Sequence, residues 1–253
     1  MSLDCNGKLS DRSGGFPRTR HSAIVALKSE VSDERRIAMG RIIDLYWLPV
    51  YKYLRLRWHK QRPEAEDLTQ GFFLSALEQE FLADFDAGKA RFRTFLRVCL
   101  DRYVGKENAA ASRQKRGGDL QRLSLDFDFA EGEITELPQA HAPAPDQLFE
   151  REWIRSLFVH CVELLRHQCE AAGKLKQFAV FERYDLEALD SETRITYREL
   201  AEAFQVSEET VTNYLSAMRR DFRRLVLAEI RDLTATDEEY REEVRAMLGV
   251  DTP

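Results

Sequence analysis

Apolar residues recur at helical spacing along most of this chain. Ile42, Leu45, Tyr46, Val50, Tyr53 and Leu54 share one face of a helix predicted from about Asp33 to Trp58, with Pro49 expected to kink it. Pro63, then Glu64, Glu66 and Asp67, marks the start of a second helix reaching about Glu80. Proline fits a first turn, and carboxylates favour the positive end of the helix dipole. Ala65, Leu68, Phe72 and Ala76 form its core stripe. A turn from Asp84 to Ala90, containing Gly88, leads into a helix from Arg91 that carries Phe92, Phe95, Leu96, Cys99 and Tyr103 on one stripe. From Asp126 to Asp146 the pattern lapses into acids, alanines and the prolines Pro138, Pro143 and Pro145, which reads as a linker. Periodicity resumes at Asp146, read as an N-cap, with helices to about Ala172 and from Lys174 to about Leu189.

Three capping signals follow. Thr196 with Glu199 forms a capping box before a short helix, Ser207 caps a longer one to about Arg231, and Thr236 with Glu239 opens a last acidic helix. That last helix is read as a solvated end rather than a docked one. No strand alternation and no repeat is visible. The expected fold is all-α, with two helical domains joined by an acidic flexible linker. The expected division is a flexible leader at 1–15, a first domain at 16–118, the linker at 119–145, a second domain at 146–232 and an acidic C-terminal helix or tail at 233–253.

Composition narrows the function classes. Of 253 residues, 43% are hydrophobic and 32% charged, which fits a globular chain and excludes a wholly disordered one. Four cysteines do not make a disulfide framework in a chain of this length, and no apolar run approaches a membrane span. A cytoplasmic protein with no membrane partner is expected. The net charge of −6 gives no overall pull toward nucleic acid, but it hides segregation. Lys89, Arg91, Arg93, Arg97, Arg102, Lys106, Arg113, Lys115 and Arg116 face only Asp101 and Glu107, whereas Asp126 to Glu152 is acidic except for Arg151. A basic helix followed by an acidic stretch points to polyanion binding on one surface, against the plainer reading of a solvated helix face.

A second constellation lies between Tyr197 and Phe222. Leu200, Ala201, Phe204, Val206, Val211, Leu215 and Met218 form the apolar skeleton of a helix-turn-helix, with Gln205 where the turn usually holds glycine. Its second helix presents Glu208, Thr212, Asn213, Ser216 and Arg219 outward, with Arg220, Arg223 and Arg224 beyond. Short polar groups suit base edges and arginines suit phosphates. An ordinary helical hairpin is the bland alternative. His160, Cys161, His167 and Cys169 crowd one helix without metal-ligand spacing, so no metal and no cofactor is expected. No phosphate loop, nucleophile elbow or catalytic triad is present, so no enzyme is expected.

Several segments together resemble bacterial RNA polymerase sigma factors. Ala65-Glu66-Asp67-Leu68-Thr69-Gln70-Gly71-Phe72-Phe73 is similar to their AEDLxQExF signature, and Arg91-Phe92-Arg93-Thr94-Phe95-Leu96 to the FRTWL-type helix that follows. Ser112 to Gly118 ends the first domain as similar chains do, and the resemblance covers roughly Phe16 to Gly249. It is closest to the extracytoplasmic-function (ECF) type, in a branch with an LFERRW-like start to the second domain, here Leu148-Phe149-Glu150-Arg151-Glu152-Trp153, and an AEI-type acidic tail, here Ala228-Glu229-Ile230.

The resemblance implies a transcription initiation factor that binds core RNA polymerase and promoter DNA. Asp67, Gln70 and Leu74 would meet the polymerase clamp. Asp86 and Lys89, in a loop holding a flipped base, with Arg91, Arg93, Thr94, Arg97 and Arg102, would bind the −10 element. Phe92 and Phe95 match hydrophobic family positions and are expected mostly in the core. Glu208, Thr212, Asn213, Ser216, Arg219, Arg220 and Arg223 would read the −35 element. The linker would thread the polymerase as a nucleic-acid mimic. An anti-sigma protein or a regulatory kinase is a further candidate partner.

Two positions depart from the family. Gly71 replaces the usual Glu, removing an acidic contact and placing a glycine inside a helix, at a cost of about 1 kcal/mol. Gln205 replaces the usual Gly. Thr69 is read as exposed beside Gly71, a phosphorylation candidate that would restore the missing charge, or else an ordinary polar surface residue. The alternatives in function are a helix-turn-helix regulator acting without polymerase, and a sigma-like decoy that binds an anti-sigma protein.

Overall fold

The computed structural model describes residues 22–111, 123–135, 144–187 and 195–249. The leader 1–15, the segment Ser112–Gly118 with its three basic residues, and linker residues 119–122 and 136–143 lie outside the described residues. Among the described residues all regular structure is helical. The fold class is therefore all-α.

The elements are α1 (Ala23–Ala26), α2 (Ser32–Leu56), α3 (Arg62–Gln79), a 3₁₀ turn (Phe81–Asp84), α4 (Phe92–Ala111), α5 (Phe127–Thr135), α6 (Pro145–Ala171), α7 (Leu175–Phe181), a π turn (Glu182–Leu186), α8 (Tyr197–Phe204), α9 (Glu208–Asp232) and α10 (Asp237–Leu248). Helix α2 is the spine, and α1, α3, α5 and α6 all pack on it. Its apolar stripe is buried as the periodicity requires: Ile42, Leu45, Tyr46, Val50, Tyr53 and Leu54 are each at most 2% exposed. Pro49 stays inside this helix and is buried. The core is continuous from α2 into α6 and α9. Tyr46 stacks on Trp153 of α6 at 6.1 Å between ring centroids and meets Phe92 of α4 edge-on at 5.7 Å, and Tyr53 meets Phe149 at 5.6 Å. Burial pushes the Tyr46 phenol well above its ordinary pKa.

Several sequence expectations are corrected. The stretch after Asp126 is not wholly irregular, because α5 lies within it. Its apolar signal is short but sufficient. Phe127 and Ala130 are buried, with Phe127 edge-on to Trp47 at 5.9 Å and tilted against Tyr51 at 5.0 Å. The acids around them are paired rather than free. Glu131 takes Arg55 Nε at 2.5 Å and the Tyr51 hydroxyl at 2.6 Å, and the Arg55 contact holds its carboxyl below the usual range. Helix α6 is capped by Ala144 with Pro145 in its first turn, not by Asp146. Helix α7 stops at Phe181 and gives way to the π turn.

Thr69 is also corrected. It is fully buried and its hydroxyl donates to the Ala65 carbonyl at 2.7 Å, so no kinase reaches it in this fold. The buried stripe of α3 is wider than the sequence pattern indicated, taking in Thr69 and Phe73 beside Ala65, Phe72 and Ala76. Helix α10 is docked, not solvated. Glu239, Glu243 and Val244 on it are buried. Thr236 caps it as expected, but the Glu239 carboxylate turns to the Ala235 N–H at 2.8 Å, one residue before the cap.

The glycine at 71 has a steric reason. A Cβ built there runs into the hydroxyl of Tyr103 on α4, whose ring packs edge-on against Phe72 at 5.8 Å. Gly71→Ala should therefore destabilise by about 1–3 kcal/mol through overpacking, despite the better helix propensity of alanine. In a Tyr103→Phe background the same change should be neutral or stabilising by up to ~1 kcal/mol. Urea denaturation of the four proteins in that cycle checks both signs.

Lys52 supplies a second test. Its ammonium is wholly buried, 2.7 Å from Glu133 of α5 and hydrogen-bonded to Glu152 of α6. Lys52→Met leaves two buried carboxylates facing each other and should cost about 3–5 kcal/mol. A thermal melt that barely moves would show that the cluster is solvated instead.

Candidate nucleic-acid interface

The polymerase-facing residues expected on α3 take three different environments. Asp67 is exposed, while Gln70 and Leu74 are half-buried. Gln70 is already engaged, since its Oε1 accepts the Leu123 N–H at 3.1 Å. At the start of the same helix Arg62 bridges Glu66 at 2.7 Å and Asp128 of α5 at 2.5 Å. The connecting stretch thus lies along the edge of this face.

The loop before α4 is built by Asp86, whose Oδ1 accepts the Gly88 N–H at 3.0 Å while Oδ2 sits 3.1 Å from Lys89 Nζ. The Lys89 contact, with the Gly88 bond, lowers the Asp86 pKa. Both side chains are exposed, Lys89 by 82%. A half-open cleft of about 420 Å³ lies between this loop and α1, lined by Ile24, Val25, Lys28, Phe85 and Asp86 among others. Lys28 Nζ closes its floor by donating to the Phe85 carbonyl at 2.7 Å.

The basic residues of α4 and the turn before it divide into exposed and engaged groups. Thr94 and Arg102 are exposed. Arg97 lies 3.3 Å from Asp101, one turn along the helix. Arg91 is about one-third exposed and lies 3.4 Å from Glu243 and 3.8 Å from Glu150. Arg93 is only 6% exposed in its side chain. Its guanidinium lies over the Trp153 ring at 4.7 Å, donates to Glu150 at 2.6 Å, and donates to Glu243 of α10. In this conformation Arg93 is not available to a phosphate. Of the two phenylalanines, Phe92 is buried and Phe95 half-buried, both packed around Phe85.

Sequence reasoning missed Glu150, Glu239 and Glu243 as partners of this basic segment. One signal was available. Glu239 and Glu243 are four apart beside Val244, so they share a helix face with an apolar residue. Burial lifts the Glu239 carboxyl above its ordinary pKa, although the Ala235 and Phe92 backbone N–H groups hold it partly back.

Helices α8 and α9 meet across a tight turn. Thr196 and Glu199 form the full capping box, with Glu199 Oε2 accepting the Thr196 N–H at 2.7 Å and Thr196 Oγ1 accepting the Glu199 N–H at 3.3 Å. Ser207 Oγ accepts the Thr210 N–H at 3.1 Å and starts α9. Between them Gln205 takes φ +53°, and the Val206 N–H reaches the Ala201 carbonyl at 3.0 Å. That backbone pattern ends a helix in the left-handed conformation. Leu200, Ala201, Val211, Leu215 and Met218 are buried between the two helices and α7. The outer side carries Glu208, Thr212, Asn213, Ser216, Arg220 and Arg223, all exposed. Thr212 bonds back to the Glu208 carbonyl at 3.0 Å. Arg219 is half-exposed and clamped bidentately by Asp185 at 2.8 Å, over the Tyr184 ring at 5.5 Å. Among the described residues no group of His, Cys, Asp and Glu side chains is arranged to hold a metal ion.

The strain at Gln205 yields a prediction. Its side chain is exposed, so only the backbone conformation distinguishes it from glycine there. Gln205→Gly should stabilise the protein by about 0.5–1 kcal/mol, read as a higher urea midpoint with an unchanged slope.

No helix among the described residues is long and apolar enough to cross a membrane. No curated protein and no solved structure matches this sequence. A family model described as ECF sigma factor does match, over residues 50–227. That span begins in α2, includes α3 and the basic helix α4, and ends in α9 after the exposed polar face. It covers well over half of the 253 residues, and the chain belongs to the ECF sigma factor family.

Proposed function

We propose that this chain, a sigma factor in transcription initiation, binds core RNA polymerase through the exposed side of α3 and directs it to two-part promoters. In this reading residues 16–118 and 146–232 act as two domains. Asp67, Gln70 and Leu74 contact the polymerase clamp. Asp86, Lys89 and the basic residues from Arg91 to Arg102 engage the −10 element and its separated strand. The α8–turn–α9 unit is a helix-turn-helix reading the −35 element, with Glu208, Thr212, Asn213 and Ser216 at base edges and Arg219, Arg220 and Arg223 toward phosphates. Acting on polymerase, it works in the cytoplasm.

The observation that carries this reading is the exposed outer side of α9, where short polar residues are followed by arginines. A helix that only packed a hairpin would have no use for that order.

Run-off transcription from a genomic-fragment pool, with bacterial core polymerase, tests the reading. Defined transcripts should appear with the wild-type chain and drop at least tenfold with Asp67→Ala/Gln70→Ala. Promoter binding that needs no polymerase would favour a regulator acting by itself. Binding to neither polymerase nor DNA would favour a decoy for an anti-sigma protein.

A further inference from the structure

The start of α4 has the makings of an anion site. A helix N-terminus offers unpaired N–H groups and the positive end of its dipole. Arg91 and Arg93 stand beside it. Yet the site is already filled, and from within the chain. The Glu239 carboxylate takes its hydrogen bond from the Ala235 N–H at 2.8 Å and is buried near the Phe92 N–H, at the first residue of α4, which helps hold its pKa down. Glu243, four residues on, accepts from Arg93 and lies 3.4 Å from Arg91. Val244, wholly buried, anchors the helix that carries both. Helix α10 lies beyond the span matched by the family model, which ends at residue 227.

We propose that α10 is a tethered competitor of DNA, holding Glu239 and Glu243 where phosphates would sit, so that undocking removes Glu243 from Arg91 and Arg93 and leaves the pair facing Glu150 of α6. This rests on the reading of α4 as the −10 face.

The exchange is close to balanced by construction. The two arginines lose the one carboxylate they share, Glu243, and gain a phosphate, and both are charge-assisted contacts of similar strength. The tether gives the carboxylates a high effective concentration, so free DNA at low concentration does not displace them. DNA held in place by polymerase competes on more equal terms. The docking is also imperfect, since Glu243 Oε2 is buried with no hydrogen-bond partner among the described residues. An unsatisfied buried carboxylate oxygen makes undocking easier.

Fluorescence anisotropy with a labelled single-stranded oligonucleotide of mixed sequence tests this on the full chain. Glu239→Gln/Glu243→Gln should bind about tenfold more tightly than wild type. Its log K against log salt slope should steepen by about 0.7, the value for one more neutralised phosphate on a single strand. Glu238→Gln/Glu242→Gln makes the same net charge change on exposed positions of the same helix. It should reproduce neither effect. Equal gains in the two variants would overturn the proposal, leaving only bulk charge.

Hydrogen exchange on the wild-type chain gives a second readout that does not depend on the variants folding. Amides of α10 should exchange faster when polymerase and the oligonucleotide are both bound. Unchanged protection in that complex would also overturn it. The two readings fail separately. Transcripts from the run-off assay together with unchanged α10 protection would remove the competitor and keep the initiation factor. Failure to bind polymerase in pull-down would remove the initiation factor first.

Discussion

A lysine ammonium with no contact to solvent has to be matched by carboxylates, and much of this fold is arranged around that requirement. Lys52 projects from the C-terminal part of α2 and is met by Glu133 from α5 and Glu152 from α6. Three segments far apart in sequence are fixed by one buried charge. Desolvating such a cluster is expensive, so it adds little net stability. Its value is in specificity, because any packing that separates the partners strands a charge in the core. Arg155, half-exposed, adds a second cation at Glu133 and closes the cluster toward solvent. The aromatic contacts of Tyr46 and Tyr53 with α6 then supply the apolar burial that the ion cluster lacks.

The same logic extends along the charge map. The sequence separates a basic segment from an acidic one, and the fold gives both partners: the acids of α5 meet arginines of α2 and α3, and Glu150 reaches the basic segment itself. Glu131 meets Arg55, Asp128 meets Arg62, and Glu150 and Glu243 meet Arg93. Arg41 joins this scheme from α2, lying 2.8 Å from both Glu229 and Asp232 at the end of α9. Segregated charge in a sequence is often read as an external binding surface. Here a large part of it is internal wiring, and the exposed remainder is smaller than composition implies. Lys89, Arg102 and Lys106 on or near α4, and Arg220 and Arg223 on α9, make up much of that remainder.

Long helices with strong periodicity were legible to within two or three residues. Both ends of α2, α3, α8 and α9 follow from proline, capping residues and apolar spacing, all local signals. Thr69 was misread because α3 buries a stripe one residue wider than its aliphatic pattern, and a threonine whose hydroxyl bonds back to the helix is cheap to bury. Helix α5 was missed because nine residues carry too few apolar positions to show a period, and its stability comes from Trp47 and Tyr51 on another helix. The docking of α10 was invisible for a similar reason. Its partner Arg93 lies 150 residues away along the chain, and no local rule reports a contact at that separation. The candidate site residues were legible as types in a pattern, whereas their engagement with Glu150, Glu243 and Asp185 was not.

The close approach of Tyr103 to Gly71 constrains how this sequence can change over time. Tyr103 fills the room that any side chain at position 71 would need, and its own ring is held against Phe72. A carboxylate at 71 requires the tyrosine to swing away from its place beside Phe72, or to be replaced. Relatives with an acidic residue at the first position should therefore carry a smaller or differently placed side chain at the second. The pair would then covary across an alignment, although the two residues are thirty-two apart in the chain.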